Sequence, residues 1–518
     1  MLRTLTILFV LLAGPLAPQA TTYFVKPDGT GDVESIWAAI YFAEDGDVIQ
    51  LADGTFTGHN FRDLEFEGKA ITIESQSGNP EACIIDCQGT AEDPHWAFKL
   101  HAGEGSGSVL SGLTITGAYV SEGEGAFYSG AAIQCNESSP TISHCIFDGN
   151  VNADGDGRGS AIASSLGSPM ISDCHFLSNE SNNGATVEVY RGSPTIRLCT
   201  FAGNTALYGG AIQANEADIS IEDCIFDGNT ADETAGALHL AGASTPTIRR
   251  CVFRAGSATA GGAIGIGASS TATIEESIVS GCSAAYGGAV SVFDGGELTI
   301  IGCTFFGNES GNEGIVDIVG ASSIVIDESI IAGSPQGPAV ECGGFGTATV
   351  TCSNLYGNTD GDYTGCIADQ LGTNGNISLD PLFCDSEGED FRLQAGSPCL
   401  AGSEPNPECE QIGARGAGCS AQPTSACCID EACTMLTEEV CLSEYTGTWF
   451  EGEDCATFQC PVVTVCCIST ECYMVTESEC FAFGGSWVSD PLFDTCAPNP
   501  CPVAVESASW GSIKARFR

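Results

Sequence analysis

The chain has 518 residues, 66 of them glycine and 29 cysteine, and sets 67 Asp plus Glu against 16 Lys plus Arg, a formal charge of -51. With so little positive charge nothing can neutralise a run of phosphates, which argues against a nucleic-acid partner. A hydrophobic fraction of 43% is that of a folded protein, and the length exceeds one ordinary domain unless a repeat carries a single core along it.

Residues Met1 to Ala20 place Arg3 before an apolar run from Leu5 to Leu12, followed by Gly14, Pro15, Pro18 and small residues. This reads as a secretory signal peptide, because the run is too short to span a bilayer. No later stretch reads as a transmembrane span. The expected location is therefore secreted or at the outer surface of a bacterial cell, where disulfides persist. Residues 21–105 read as an N-terminal cap and first coils. Val33 to Ala43 is predicted as a short amphipathic helix, Asp45 and Gly46 as a turn, and Val48 to Leu51 as the first parallel strand. A helix laid there covers an exposed strand edge. Cys83 and Cys87 are candidates for a disulfide stapling these coils.

Residues 106–365 hold a repeat, clear in SPTISHCIFDGN, SPMISDCHFLSN, SPTIRLCTFAGN and ELTIIGCTFFGN. Anchored on Cys145, Cys174, Cys199, Cys224, Cys251, Ser277, Cys303 and Ser329, the spacings are 29, 25, 25, 27, 26, 26 and 26. A second apolar anchor precedes each of these by 12 or 13 residues: Ile133, Ile162, Val187, Ile212, Leu238, Ile264, Val290 and Val316. Two registers that hold while the intervening length drifts imply strands in register and turns that absorb insertions. The segments are short, β-branched or aromatic, and broken by Gly, Asn, Ser and Asp, so they are strands. Ile142 lies at odd spacing from Cys145 and Phe147, which predicts a bend at Ser143 and His144. One unit of about 26 residues with two or three bent strands is one coil of a parallel β-helix.

Residues at equal positions then stack between coils. Phe147, Phe176, Phe201, Phe226, Phe253 and Phe305 form an inward column, joined by Val279, Ile331 and Leu355. Asn150, Asn179, Asn204, Asn229 and Asn308 form a second at a turn, where amides bond rung to rung. The glycine pairs at 209–210, 261–262 and 287–288 suit a tight turn without room for a Cβ. The GGAI and FxxN motifs together resemble the repeat pair of the chlamydial polymorphic outer-membrane proteins, within the right-handed parallel β-helix class of pectate-lyase-like proteins. The resemblance covers about Ser106 to Asn358. It implies an all-β, single-stranded right-handed solenoid with an N-terminal capping helix and a small disulfide-rich C-terminal region. Members of that repeat family are surface adhesins or autotransporter passengers.

Residues 366–420 read as a terminal coil and cap, with Cys342, Cys352, Cys366, Cys384, Cys399, Cys409 and Cys419 available to close it. Residues 421–503 repeat a different unit with a period of 39, from Cys427 to Cys466. Each copy has six cysteines: Cys427, Cys428, Cys433, Cys441, Cys455 and Cys460, then Cys466, Cys467, Cys472, Cys480, Cys496 and Cys501. Six per unit with little other core argue for three disulfides each, with a structural zinc site as the rival reading. Residues 504–518 form a basic tail with Lys514, Arg516 and Arg518, read either as an envelope-sorting or anchoring segment or as a solvated end.

Chemistry is harder to find. Arg249, Arg250 and Arg254 cluster, but no carboxylate set of recognisable spacing flanks them. Asn358, Thr359 and Asp360 spell the NTD of polygalacturonases without their DD pair or RIK segment, and Asn358 falls on the asparagine column. The six histidines, His239 among them, show no constellation. Calcium is the one cofactor with candidate ligands: Asn152, Asp154 and Asp156 in one Asp-Gly loop, Asp360 and Asp362 in another. Ordinary turns explain both loops equally well. The expectation is a non-enzymatic scaffold or adhesin whose partner is a glycan or a surface protein. The longer loop from Val151 to Ser160 is the place to look for binding. The alternative is a polysaccharide lyase or glycoside hydrolase of the same fold.

Overall fold

The computed structural model describes residues 20–121, 130–153, 155 and 158–419, together with the backbone of strands at 425–429, 432–436, 448–450, 464–468, 471–475 and 486–487. The chain divides into two units, Met1–Gly418 and Cys419–Arg518.

The first unit is a parallel β-helix. In its middle rungs one coil comprises four strands, for example Thr141–Ser143, Ile146–Asp148, Val151–Asn152 and Ile162–Ser165. Equivalent strands pair in parallel along the rod, giving first, second, third and fourth sheets of 13, 12, 8 and 11 strands. Four strands per coil, rather than the two or three predicted, arise because the Asn turn is followed by a two- to five-residue strand before the glycine pair.

The bend between the first and second sheets is one left-handed residue. His144 (φ 56°), Asp173 (53°), Leu198 (55°), Asp223 (54°), Arg250 (52°) and Glu276 (49°) occupy it in successive coils. Side chains other than glycine accept this conformation at a cost. Here the bend is held by the next rung, as where His144 N–H donates to the Ser172 carbonyl at 3.1 Å and Asp173 N–H to that of Arg197 at 3.1 Å. The turn brings Ile142, Cys145 and Phe147 inward together, all fully buried.

Phe147, Phe176, Phe201, Phe226 and Phe253 stack with centroids 4.4–5.1 Å apart and rings within 9° of parallel. Beside them, the Asn150 amide nitrogen donates to Asn179 Oδ1 at 3.0 Å, Asn179 to Asn204 at 3.0 Å and Asn204 to Asn229 at 2.8 Å. The other amide hydrogen of each goes to a core carbonyl, that of Phe147 for Asn179 and that of Phe176 for Asn204. A fully bonded amide ladder lets polar side chains lie in the core without a desolvation penalty.

At the N-terminal end, helix α1 (Ile36–Phe42) is capped by Ser35, whose hydroxyl accepts from Ala38 N–H at 3.1 Å. It is shorter than predicted because Ser35 stops it at that end. The first parallel strand is Thr22–Val25, which pairs with Val48–Leu51. Cys83 and Cys87 are separate buried thiols, so the expected staple is not formed. Both face inward from opposite ends of one strand, about 13 Å apart, too far for a disulfide. In the terminal region Cys342–Cys366 and Cys352–Cys409 are disulfides, whereas Cys399 is a buried thiol whose sulfur faces the Asn354 amide.

In the second unit, Ser425–Ile429 pairs antiparallel with Ala432–Leu436 and Thr448–Phe450. Thr464–Ile468 pairs likewise with Glu471–Val475 and Ser486–Trp487. The 39-residue repeat is thus two equivalent three-stranded sheets. The pairing of their twelve cysteines and the basic tail lie outside what is described, as does most of the signal segment. Among the described residues no helix is long and apolar enough to cross a membrane.

Candidate functional site

The fourth sheet carries the chemistry. In each of its strands the anchor and the residue two further on point into the core, as Val187 and Val189 do, so the residue between them points outward. Strand pairing aligns these outward residues in one row: Glu188 beside Gln213, Gln213 beside His239, then Gly265, Ser291 and Asp317. All of them are nevertheless buried, Glu188 to 1% and His239 to 8% exposure. The turns arriving from the third sheet lie across the row. A Cβ placed on Gly184 would stand 3.1 Å from Glu188 Oε2, and one on Gly265 would stand 2.4 Å from the Thr234 methyl.

Burial without full hydrogen bonding sets the electrostatics. Glu188 Oε1 accepts from Arg158 Nη1 at 3.2 Å, while Oε2 has no hydrogen-bond partner among the described residues. Loss of solvent outweighs the nearby guanidinium and pushes the Glu188 carboxyl up to about 8. Two rungs along, His239 packs against Tyr208, ring centroids 5.5 Å apart, and its Nδ1 is buried with no partner among the described residues. Burial drives the His239 imidazole down to about 4. Gln213, between them, also has an unpartnered Oε1. At neutral pH the row thus holds a protonated carboxylic acid and a neutral imidazole, roughly 10 Å apart at the ordinary rung spacing. Burial favours the neutral form of both groups, which raises a carboxyl and lowers an imidazole. Further along, burial raises Asp317 to about 6, helped by Glu313 and Glu341.

The loop singled out for binding, Val151 to Ser160, supplies Arg158 to this row. The other sequence candidates have local roles. Asn152 is buried and its amide donates to the Gly159 carbonyl at 3.2 Å. Asp154 and Asp156 lie outside the described residues. Asp360 Oδ2 accepts from Gly337 N–H at 2.8 Å, and Asp362 accepts from Asn358 N–H and the Ser378 hydroxyl at 2.9 Å each. These oxygens fasten turns. Among the described residues no group of three or more His, Cys, Asp or Glu is placed to hold a metal. Arg250 pairs with Asp223 at 2.7 Å, Arg249 with Glu276 at 3.1 Å, and Arg254 with Asp227 at 2.8 Å. They are surface ion pairs between rungs. Asn358 donates to the Ile331 carbonyl at 2.9 Å, the same role the other column asparagines play.

Sequence reasoning missed Glu188, Gln213 and Arg158, and found no constellation for His239. The signal was nonetheless available, since the row is the residue immediately after each apolar anchor from Val187 to Val316.

Fold and row together define a single-chain parallel β-helix with a titratable row under the turns of one outer sheet. The chain belongs to the family described as right handed beta helix region, whose model matches residues 32–201, 167–286 and 209–379. The narrower likeness to the chlamydial repeats is not established by that match. No curated protein matches the sequence.

Among solved structures, the chain is similar to the PL6 family alginate lyase AlyGC, at 14% identity and a TM-score of 0.41 over 72% of this chain and 51% of that one. This chain thus spans about half the length of that enzyme. It is similar to the pectate lyase Pel9A at 14% identity and a TM-score of 0.38, over 77% of this chain and 96% of that one. A mannuronic acid specific polysaccharide family 6 lyase from human gut microbiota follows at 12% and 0.34, over 70% and 91%. The expectation of a non-enzymatic scaffold is corrected. The solved structures similar to this chain include several polysaccharide lyases, and the alternative expectation, a polysaccharide-cleaving enzyme, fits these findings better.

Proposed function

We propose that the protein cleaves glycosidic bonds in a polysaccharide, by elimination or hydrolysis, with Glu188 as proton donor and His239 as proton acceptor. The observation that carries this reading is the pairing, on one row, of a carboxyl raised to about 8 with an imidazole lowered to about 4, each with an unused polar atom. Both cleavage chemistries need that division. A protonated acid delivers its proton to the departing glycosidic oxygen, and a neutral base removes one from the sugar carbon or from water. Arg158 holds Glu188 in place through Oε1 and leaves Oε2 for the transfer. Access to the row requires the covering turn to move, as gating segments do in many enzymes. The leader pattern and the Cys342–Cys366 and Cys352–Cys409 disulfides support action outside the cell.

The test is a depolymerisation screen of residues 21–518 on neutral and acidic polysaccharides, reading new reducing ends and unsaturated products separately. Unsaturated ends identify elimination, and reducing ends alone identify hydrolysis. Glu188→Gln is expected to lower kcat at least 100-fold. Absence of product from every substrate, or full activity in both Glu188→Gln and His239→Gln, overturns the reading.

A further inference from the structure

The outward row does not stop at Glu188. Toward the N-terminus it continues through Ala163, Gln134 and Lys99 to Glu65, each the strand partner of the next. Glu65 lies beside α1, and the two share a cavity of about 100 Å³ lined by Trp37, Ile40, Tyr41, Asp63, Glu65 and Glu67. The helix buries Ile36, Ala39 and Ile40 and turns Trp37, Tyr41 and Phe42 outward at 54%, 61% and 57% exposure. Trp37 and Tyr41 lie 5.6 Å apart with ring planes within 15°. They stack on one another and form one exposed aromatic cluster rather than two separate residues. Lys69 fixes that end of the helix, its ammonium donating to the Ile40 carbonyl at 2.6 Å and the Tyr41 carbonyl at 3.2 Å.

Three large aromatics on the solvent side of a seven-residue helix expose apolar surface that folding alone does not call for. A capping helix needs only its inner face to be apolar. An exposed aromatic surface bordered by carboxylates matches a pyranose ring, whose C–H face is apolar and whose rim is made of hydroxyl donors. We propose that Trp37 and Tyr41, with Asp63 and Glu65 at their edge, form a distal subsite that holds a polysaccharide chain running along the row toward Glu188. This rests on the cleavage reading for its direction. Four rungs separate Glu65 from Glu188, about 19 Å, a span covered by a short oligosaccharide. The subsite therefore holds polymers and leaves the smallest fragments unaffected.

Affinity electrophoresis through gels containing alginate, polygalacturonate, xylan or mixed-linkage β-glucan tests the platform, since retardation reports binding without turnover. The proteins are the wild type, Trp37→Ala/Tyr41→Ala, Trp37→Phe/Tyr41→Phe and Glu188→Gln. At least one polymer is expected to retard the wild type and Glu188→Gln alike. The alanine pair should bind it at least tenfold more weakly, and the phenylalanine pair should recover most of the binding. Unchanged retardation of the alanine pair overturns the subsite, and so does a wild type that no polymer retards. So does a wild-type dimer that the alanine pair dissolves, because the face is then a contact between copies. Both side chains are more than half exposed, and a circular-dichroism melt checks that the variants fold. The two proposals fail separately. Retardation lost with the alanine pair but no cleavage by the wild type leaves the subsite and removes the catalytic reading. Cleavage lost with Glu188→Gln but unchanged retardation of the alanine pair does the reverse.

Discussion

Replacing Glu188 by Gln should stabilise the protein, and by an amount that depends on pH. In the folded chain burial lifts this carboxyl from an ordinary 4.5 to about 8. Below about pH 4.5 the group is protonated whether the chain is folded or not, and it costs nothing. Between about pH 4.5 and 8 the unfolded chain releases the proton while the folded chain keeps it, so stability falls as pH rises. Above about pH 8 the full penalty is present, on the order of 4 to 5 kcal/mol. Glutamine keeps the shape and the acceptor for Arg158 and removes the titration. Urea unfolding of both proteins across this range, followed by circular dichroism, gives their difference in stability. All other carboxylates cancel in that difference. It should be near zero at the acid end and grow in favour of Glu188→Gln toward the alkaline end. A flat difference across the window would mean that Glu188 ionises normally, and the argument for it as a proton donor would fall with it. A more stable but inactive variant is the pattern of a residue kept for function at the expense of the fold.

The histidine gives the opposite slope. Its folded value lies near 4 against an ordinary 6.5, so stability is level above about pH 6.5 and falls by about 3 kcal/mol on acidification through that window. His239→Gln should abolish that share of the acid sensitivity in the same assay. Asn204→Ala removes the acceptor of Asn179's backbone N–H and side-chain amide, both at 3.0 Å, and the donor to the Phe176 carbonyl. A loss of about 3 to 5 kcal/mol is expected, with hydrogen exchange accelerated first in the rungs on either side. Phe201→Ala opens the middle of the ring stack, between neighbours at 4.4 and 5.1 Å, and should cost about 3 to 5 kcal/mol in denaturant unfolding. Neither core variant should alter the affinity of the Trp37 and Tyr41 face for polysaccharide.

The sequence by itself determined the architecture, because a solenoid is built from local periodicity. A coil pairs only with its neighbours, so the spacing of Cys145, Cys174 and Cys199 already fixes which strands meet. One phenylalanine and one asparagine per repeat already name the two buried columns. The bend at His144 followed from a parity argument alone. The outer face resisted the same reading because it obeys no repeat: Glu188, Gln213, His239 and Gly265 share a position and little chemistry. A row of unlike residues is invisible to a search for periodic ones. That the Glu188 carboxyl is raised and the His239 imidazole lowered was decided by the turns lying over them, since depth below the surface, rather than residue type, moves a proton affinity this far. The aromatic face of α1 is similar. The amphipathic reading of Val33 to Ala43 called for a buried stripe, which the structure makes of Ile36, Ala39 and Ile40. Only the packing of the helix beside Glu65 placed Trp37 and Tyr41 in solvent at one end of the row.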